Sequence, residues 1–240
     1  MSKSFKTYDS TPYFQELRRF RDILRFPFED PPSPEFLAAI EALSSDRRCY
    51  PDPTLLYSIG PFLGVQSPES HLGPQRNAVD FVLPIGTPVL AAHRGRITAI
   101  EDGHSHWGAK EEYSLFCNYI TISYRPTMEK PPTHHHRMED WYWFHVQYSH
   151  LARGSVRKLK LRVGQMVEAG QVIAQTGRSG WMTAPHLHVL GFVNTEHSSE
   201  NPFGYLSMKM TFRTAEDWDY YYAHDFTWPG DVEYDSGHLD

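Results

Sequence analysis

Tyr119-Ile120-Thr121-Ile122-Ser123-Tyr124 alternates side-chain character without a break, placing Ile120, Ile122 and Tyr124 on one face. Side chains of an extended chain alternate with a period of two, and β-branched and aromatic residues favour that conformation, so this stretch reads as a half-buried strand. Similar short pieces lie on both sides of it. Upstream, Ala78 to Leu83 alternates and ends at the turn Pro84-Ile85-Gly86-Thr87-Pro88, and Val89–Ala92 and Arg96–Ile100 flank Gly95. Downstream, Val163-Gly164-Gln165-Met166-Val167-Glu168-Ala169-Gly170-Gln171-Val172-Ile173 holds two apolar pieces with glycines at the bends. No helical period separates these pieces, so the fold class is mainly β, an antiparallel sheet or sandwich rather than a parallel α/β fold. Eighteen prolines and sixteen glycines suit the many turns such a fold requires.

Outside this region the pattern changes. Residues 1–56 read as a helical extension. Thr11-Pro12 and Ser33-Pro34 each supply an N-cap followed by proline, the first ahead of Phe14, Leu17, Phe20 and Leu24, the second ahead of Phe36, Leu37, Ile40 and Leu43. The main domain is expected over residues 57–212, interrupted by polar and aromatic insertions at about 103–115 and 125–142. Long loops in compact domains are usually functional or mobile. The second insertion contains His134-His135-His136, which reads as a solvated loop first and an adventitious surface metal site second. Tyr205 to Phe212 reads as a last strand. Residues 213–240 form an acidic, aromatic tail in which Thr214 and Asp217 have the spacing to cap a short helix, with disorder expected beyond Asp231.

The chain has 240 residues, a net charge of −6 and a pI near 6.1, which argues against a general nucleic-acid binder. Cys49 and Cys117 form neither a disulfide framework nor a Cys-x-x-Cys zinc site. The N-terminus has no apolar signal core, and no stretch approaches a membrane span. The expectation is therefore a soluble protein, cytoplasmic or exported by a non-Sec route. The basic run Arg153, Arg157, Lys158, Lys160, Arg162 reads as the solvent face or protected edge of a strand, with a patch for an anionic polymer or membrane as the alternative.

The fourteen histidines make metal chemistry a live question. Pro185-His186-Leu187-His188-Val189 places two imidazoles on the same side of an extended segment, where both can serve one site. Five motifs in order, Ala78-Val79-Asp80, Gly86-Thr87-Pro88-Val89-x-Ala91, Tyr148-Ser149-His150-Leu151, Val163-Gly164-x-x-Val167-x-x-Gly170-Gln171-x-Ile173 and Pro185-His186-Leu187-His188, resemble the lysostaphin/LytM-type zinc endopeptidases. The resemblance runs from about residue 70 to about 203. It implies a zinc-dependent hydrolase acting on a peptide or peptidoglycan-like substrate, with Asp80 and His188 as metal ligands and His150 and His186 as catalytic assistants. Zinc hydrolases keep three protein ligands and one open position for water, so those two ligands leave one place to fill.

In that family the first ligand is a histidine four residues before the aspartate, where this chain has Arg76. Arginine has no lone pair to offer a cation, and at that place its guanidinium would pair with Asp80. The substitutes are His71, a loop histidine such as His104 or His106, or the Asn77 carbonyl oxygen; alternatively Arg76 serves on the substrate side. Two functions follow from how that place is filled. One is a zinc metalloendopeptidase. The other is a degenerate relative that keeps the groove and binds a peptide, glycan or protein.

Overall fold

The computed structural model describes residues 23–68, 70–71, 75–124, 144–194, 204–208, 210–213 and 220–222. The expected first helix around Thr11, the loop 125–142 with its three histidines, and the Thr214–Asp217 cap lie outside these residues. Sixteen strands are named here in chain order. They are β1 (Ile23–Arg25), β2 (Leu56–Ile59), β3 (Phe62–Val65), β4 (Val79–Val82), β5 (Pro88–Leu90), β6 (Gly95–Glu101), β7 (Trp107–Gly108) and β8 (Tyr119–Tyr124). There follow β9 (Phe144–Ser149), β10 (Met166–Val167), β11 (Val172–Gln175), β12 (Gly180–Trp181), β13 (His186–Asn194), β14 (Tyr205–Ser207), β15 (Thr211–Arg213) and β16 (Tyr220–Tyr222).

The main sheet runs β10-β6-β8-β9-β13-β4-β3-β2, and every neighbouring pair is antiparallel. The mainly β, antiparallel expectation holds, for the reason the period-two pattern indicates. On β8, Ile120 and Ile122 are fully buried. The neighbouring Thr121 and Ser123 are buried too, so the sheet is covered on both faces rather than half-exposed. The longest strand, β13, is the axis of the site. Its first half pairs with β4, its second half with β14, and its other edge with β9.

The glycine turns around Gly164 and Gly170 take φ of +89° and +82°, a left-handed conformation that costs glycine nothing and other residues a steric penalty. They fold β10 back on β6 and bring β11 to β5. Gly177 is a closer constraint. A Cβ there would meet the Ala152 backbone at 2.4 Å, so the loop leading to β12 can press on the end of β9 only with glycine at this position.

The extension is part of the core. Helix α1 (Pro34–Ser44) is capped by Ser33, whose Oγ accepts from the Phe36 N–H at 3.2 Å, with Pro34 at its first position. Leu24 does not end a helix as its spacing suggested; it lies in β1, which pairs parallel with β15. The reason is tertiary. The following Phe26 and Phe28 are buried among Phe62, Phe81 and, for Phe26, the stacked Phe212 ring, and an extended chain delivers alternate residues to one side. The expected last strand is two strands, β14 and β15, which belong to different sheets.

Two further expectations change. The basic run is not strand: Ser155–Lys158 forms one helical turn, α2, followed by Lys160 at φ +58°. The first insertion is folded: β7 pairs parallel with β12, and Glu111–Phe116 forms a 3-10 turn. Cys49 and Cys117 are both free.

Candidate metal centre

Antiparallel register decides which side chains meet. His188 stands directly opposite Asp80 on β4 and opposite Ser149 on β9, and opposed residues project to the same face. His186, two residues back, shares that face, while Leu187 and Val189 turn into the apolar core and are fully buried. Asp80 is 1% exposed, and His71, His186 and His188 are all buried. Such a set of ionisable groups is costly to bury unless each finds a partner.

The partners converge on Asp80. His188 Nδ1 lies 2.9 Å and His71 Nε2 3.2 Å from Asp80 Oδ1, and the two nitrogens are 3.2 Å from each other. On the other carboxylate oxygen, the Ser67 hydroxyl donates to Oδ2 and His186 Nε2 stands 3.6 Å away. No placement of protons satisfies the three-way contact. The carboxylate only accepts, so both nitrogens must donate to it, and they then present hydrogens to each other across 3.2 Å. A cation at the centre satisfies all three atoms at once. Ligands held tetrahedrally at about 2.0–2.2 Å from zinc lie roughly 3.3–3.6 Å apart, close to the observed edges. Among the described residues, His71, Asp80 and His188 are the group able to hold a metal ion.

His71 therefore stands where Arg76 was expected to be decisive. Arg76 is exposed on the turn before β4, away from the partners of Asp80. Asn77 is also elsewhere, its Nδ2 donating to the Ser207 carbonyl at 2.9 Å and standing 3.0 Å from the Ser207 hydroxyl. His104 packs on Phe116 and contacts Glu101, and His106 also packs on Phe116. The chain places the third member of the group nine residues before Asp80 instead of four, and spacing alone does not reveal which histidine returns to the sheet.

His150 is brought in by a backbone device. In a regular strand it would point away from Ser149, but its φ of +63° ends β9 and turns the ring back. Its ring centroid lies 4.6 Å from that of His186 and 5.8 Å from that of His188. The tautomers of the two non-cluster histidines follow from their partners, since a carbonyl can only accept. His150 Nδ1–H donates to the Ser179 carbonyl at 2.8 Å, and His186 Nδ1–H donates to the Ala184 carbonyl at 2.8 Å. Both rings in their neutral form keep Nε2 as an acceptor.

The electrostatics differ along the cluster. Burial would raise the Asp80 carboxyl, but the imidazoles of His71 and His186 outweigh it and hold it well below the usual carboxylate range. Burial pushes His186 down to about 4, and pushes His188 down as well. Burial also works against a charged His150, but the Cys117 thiol 3.8 Å from its Nδ1 more than compensates and brings it up to about 9. The same contact lowers Cys117 against the burial that would raise it.

Ser67, Cys117 and the carbonyls of Ser179 and Ala184 carried no signal in the sequence. Neither did Tyr50, buried at the end of the extension, whose hydroxyl donates to the Pro185 carbonyl next to His186.

Residues 135–201 match the profile of "Peptidase family M23". The chain is 32% identical over 153 residues to lysostaphin of Staphylococcus simulans, covering 62% of this chain and 24% of that protein. It is 30% identical over 112 residues to the peptidoglycan DD-endopeptidase ShyB of Vibrio cholerae, covering 47% of this chain and 19% of that protein. Among solved structures, the catalytic domain of lysostaphin from Staphylococcus simulans is similar at 28% identity, covering 52% of this chain and 71% of that one, with a TM-score of 0.32. The chain thus spans a quarter or less of the length of these curated relatives. The family match over residues 135–201 spans His150 at the end of β9 and His186 and His188 of β13, so this part of the chain is similar to peptidases of family M23.

Proposed function

We propose that this chain is a zinc-dependent endopeptidase that hydrolyses peptide cross-links of peptidoglycan, with residues 57–212 as its catalytic unit. The observation that carries the reading is the convergence of His71 Nε2, Asp80 Oδ1 and His188 Nδ1 within 3.2 Å of one another. These three residues would hold the ion. Zinc, when bound, lowers the pKa of a water molecule and polarises the scissile carbonyl. His150 and His186 then have separate uses. Each has Nδ1 committed to a carbonyl. His186, pushed down to about 4 by burial, is neutral, with Nε2 free to take the proton of the attacking water. His150, brought up to about 9, carries a proton on Nε2 and donates to the oxygen on which charge develops. Ser67 orients the carboxylate by donating to the oxygen that the cluster leaves free.

The substrate class comes from the relatives, whose names describe peptidoglycan DD-endopeptidase activity in one case. The reading as a non-catalytic binder rested on Arg76 at a ligand's place. The exposure of Arg76 and the position of His71 favour the hydrolase reading over that one. The test is metal content of untagged protein beside His71→Ala, Asp80→Ala and His188→Ala, with hydrolysis of cross-linked muropeptides measured in parallel. Near-stoichiometric zinc in the parent, lost in each variant together with activity, is the expected result. A parent that binds no zinc refutes the proposal.

A further inference from the structure

The face built by the α2 turn differs from the rest of the molecule. Arg153, Arg157, Lys158, Lys160 and Arg162 are all exposed, with no acidic residue between positions 153 and 162, on a chain whose net charge is −6. Three of these cations, Arg157, Lys160 and Arg162, border a surface cavity of about 530 Å³ whose apolar lining is Ile100, Val156 and Leu161. Lys160 is held there with φ +58°, one of two non-glycine residues in that region among the described ones. The cavity has one carboxylate, Asp102. Its Oδ2 accepts the Arg157 backbone N–H at 2.9 Å, so that oxygen steadies the turn.

Apolar groups accompany the charge. Seven large apolar side chains of the described residues are exposed, and four of them, Leu159, Val163, Met166 and Val172, follow within the same stretch of chain. Leu159 is 42% and Val163 60% exposed; Leu159 lies between Lys158 and Lys160, and Val163 follows Arg162. A site for a soluble polyanion needs only the positive charges. An apolar-lined cavity with a cationic border, whose cations adjoin exposed aliphatic residues along the chain, matches an amphiphile with a phosphate head and hydrocarbon beneath it.

We propose that this face docks the protein peripherally on an anionic phospholipid surface. Arg157, Lys160 and Arg162 receive phosphate groups at the cavity, and Leu159 and Val163 insert at the boundary between headgroups and acyl chains. None of the described helices is long and apolar enough to cross a membrane. The proposal does not depend on the metal centre and stands whether or not the chain hydrolyses peptides.

Co-sedimentation of the full chain with vesicles tests it, using phosphatidylcholine alone and phosphatidylcholine mixed with phosphatidylglycerol. The parent should sediment only with the anionic vesicles and be released as salt is raised. The triple variant Arg157→Glu/Lys160→Glu/Arg162→Glu should lose binding by about tenfold or more. Leu159→Ser/Val163→Ser should weaken vesicle binding while leaving binding to soluble polyphosphate unchanged. Equal sedimentation of the parent with neutral vesicles, or insensitivity to salt, overturns the proposal without reference to any variant. Vesicle binding that survives Leu159→Ser/Val163→Ser intact overturns it in favour of a polyanion site. Thermal unfolding of each variant confirms that folded proteins are being compared.

Discussion

The central strand β13 carries a buried histidine cluster at one end and a second buried polar group near the other. At the first, His71, Asp80 and His188 point their polar atoms at a single spot, and the proton bookkeeping cannot be closed. At the second, His145 on β9 stacks on Phe192 of β13 at 4.8 Å, and donors alternate with acceptors. Asn194 Nδ2 donates to His145 Nε2 at 3.1 Å, His145 Nδ1–H donates to Ser123 Oγ at 2.6 Å, and Ser123 and Thr98 hydroxyls stand 2.7 Å apart. Each ring nitrogen there has one complementary partner. Burial of histidine is therefore no sign of a metal. The sign is convergence without complementarity: a satisfied network rigidifies the sheet, whereas an unsatisfied one awaits a cation.

Removing the shared carboxylate should have the largest effect. Asp80→Ala is expected to abolish zinc binding and lower peptidase activity by about 10⁴-fold, read by metal analysis and by turnover of cross-linked peptide. If Asp80→Ala kept its zinc, the contrast between the two clusters would collapse. His186→Ala tests the boundary of the cluster. Its kcat should fall by about 10²–10⁴-fold with the zinc content unchanged, because its Nδ1 is tied to Ala184 and it acts on protons rather than holding the ion. Loss of metal would move His186 into the ligand set.

The His145 network should report through stability instead. Burial lowers His145 to about 4 in the folded chain, against about 6.5 when unfolded. Between those values the unfolded chain binds more protons than the folded one. The His145 contribution is therefore complete above about pH 6.5, declines as pH falls toward 4, and amounts to at most about 3 kcal/mol. Urea unfolding of the parent and His145→Gln over this range should show a shallower pH dependence in the variant. Parallel curves would show that His145 does not titrate on unfolding. The smallest effect is expected from Ser123→Ala, which removes the acceptor of the His145 Nδ1–H. It should cost about 1–2 kcal/mol in the same assay and leave zinc content and turnover untouched.

Much of the fold is legible in the sequence because the controlling interactions are local. The alternation of Tyr119–Tyr124 marks β8, the Gly164 and Gly170 turns mark the sharp returns around β10 and β11, and Ser33-Pro34 marks the start of α1. Errors arose where a distant partner overrode a local preference. Leu24 has helical spacing behind it but lies in a strand because Phe26 and Phe28 reach the core that way. The basic run has the alternation of a strand edge, yet Ser155 to Lys158 turns helically. The Gly154 N–H donates to the Asp102 carbonyl, and the Asp102 side chain takes the Arg157 N–H.

For the site, period-two geometry was enough to put His186 and His188 on one face, while the grouping of Asp80 with His188 came from the resemblance to the lysostaphin-type endopeptidases. It could not choose the third member. His71 lies nine residues before Asp80 in the chain, and that separation does not fix where its ring comes to rest. His150 required a left-handed φ that no residue pattern around it indicates. Sequence by itself thus determined the β architecture, its turns and the paired histidines, all consequences of how neighbouring residues share a backbone. Tertiary structure decided that His71 and not Arg76 faces Asp80, that Tyr50 of the extension holds the Pro185 carbonyl, and that one buried histidine group is open to a cation while the other is closed. Those outcomes depend on atoms far apart in the chain meeting within about 3 Å, which only the packed sheet enforces.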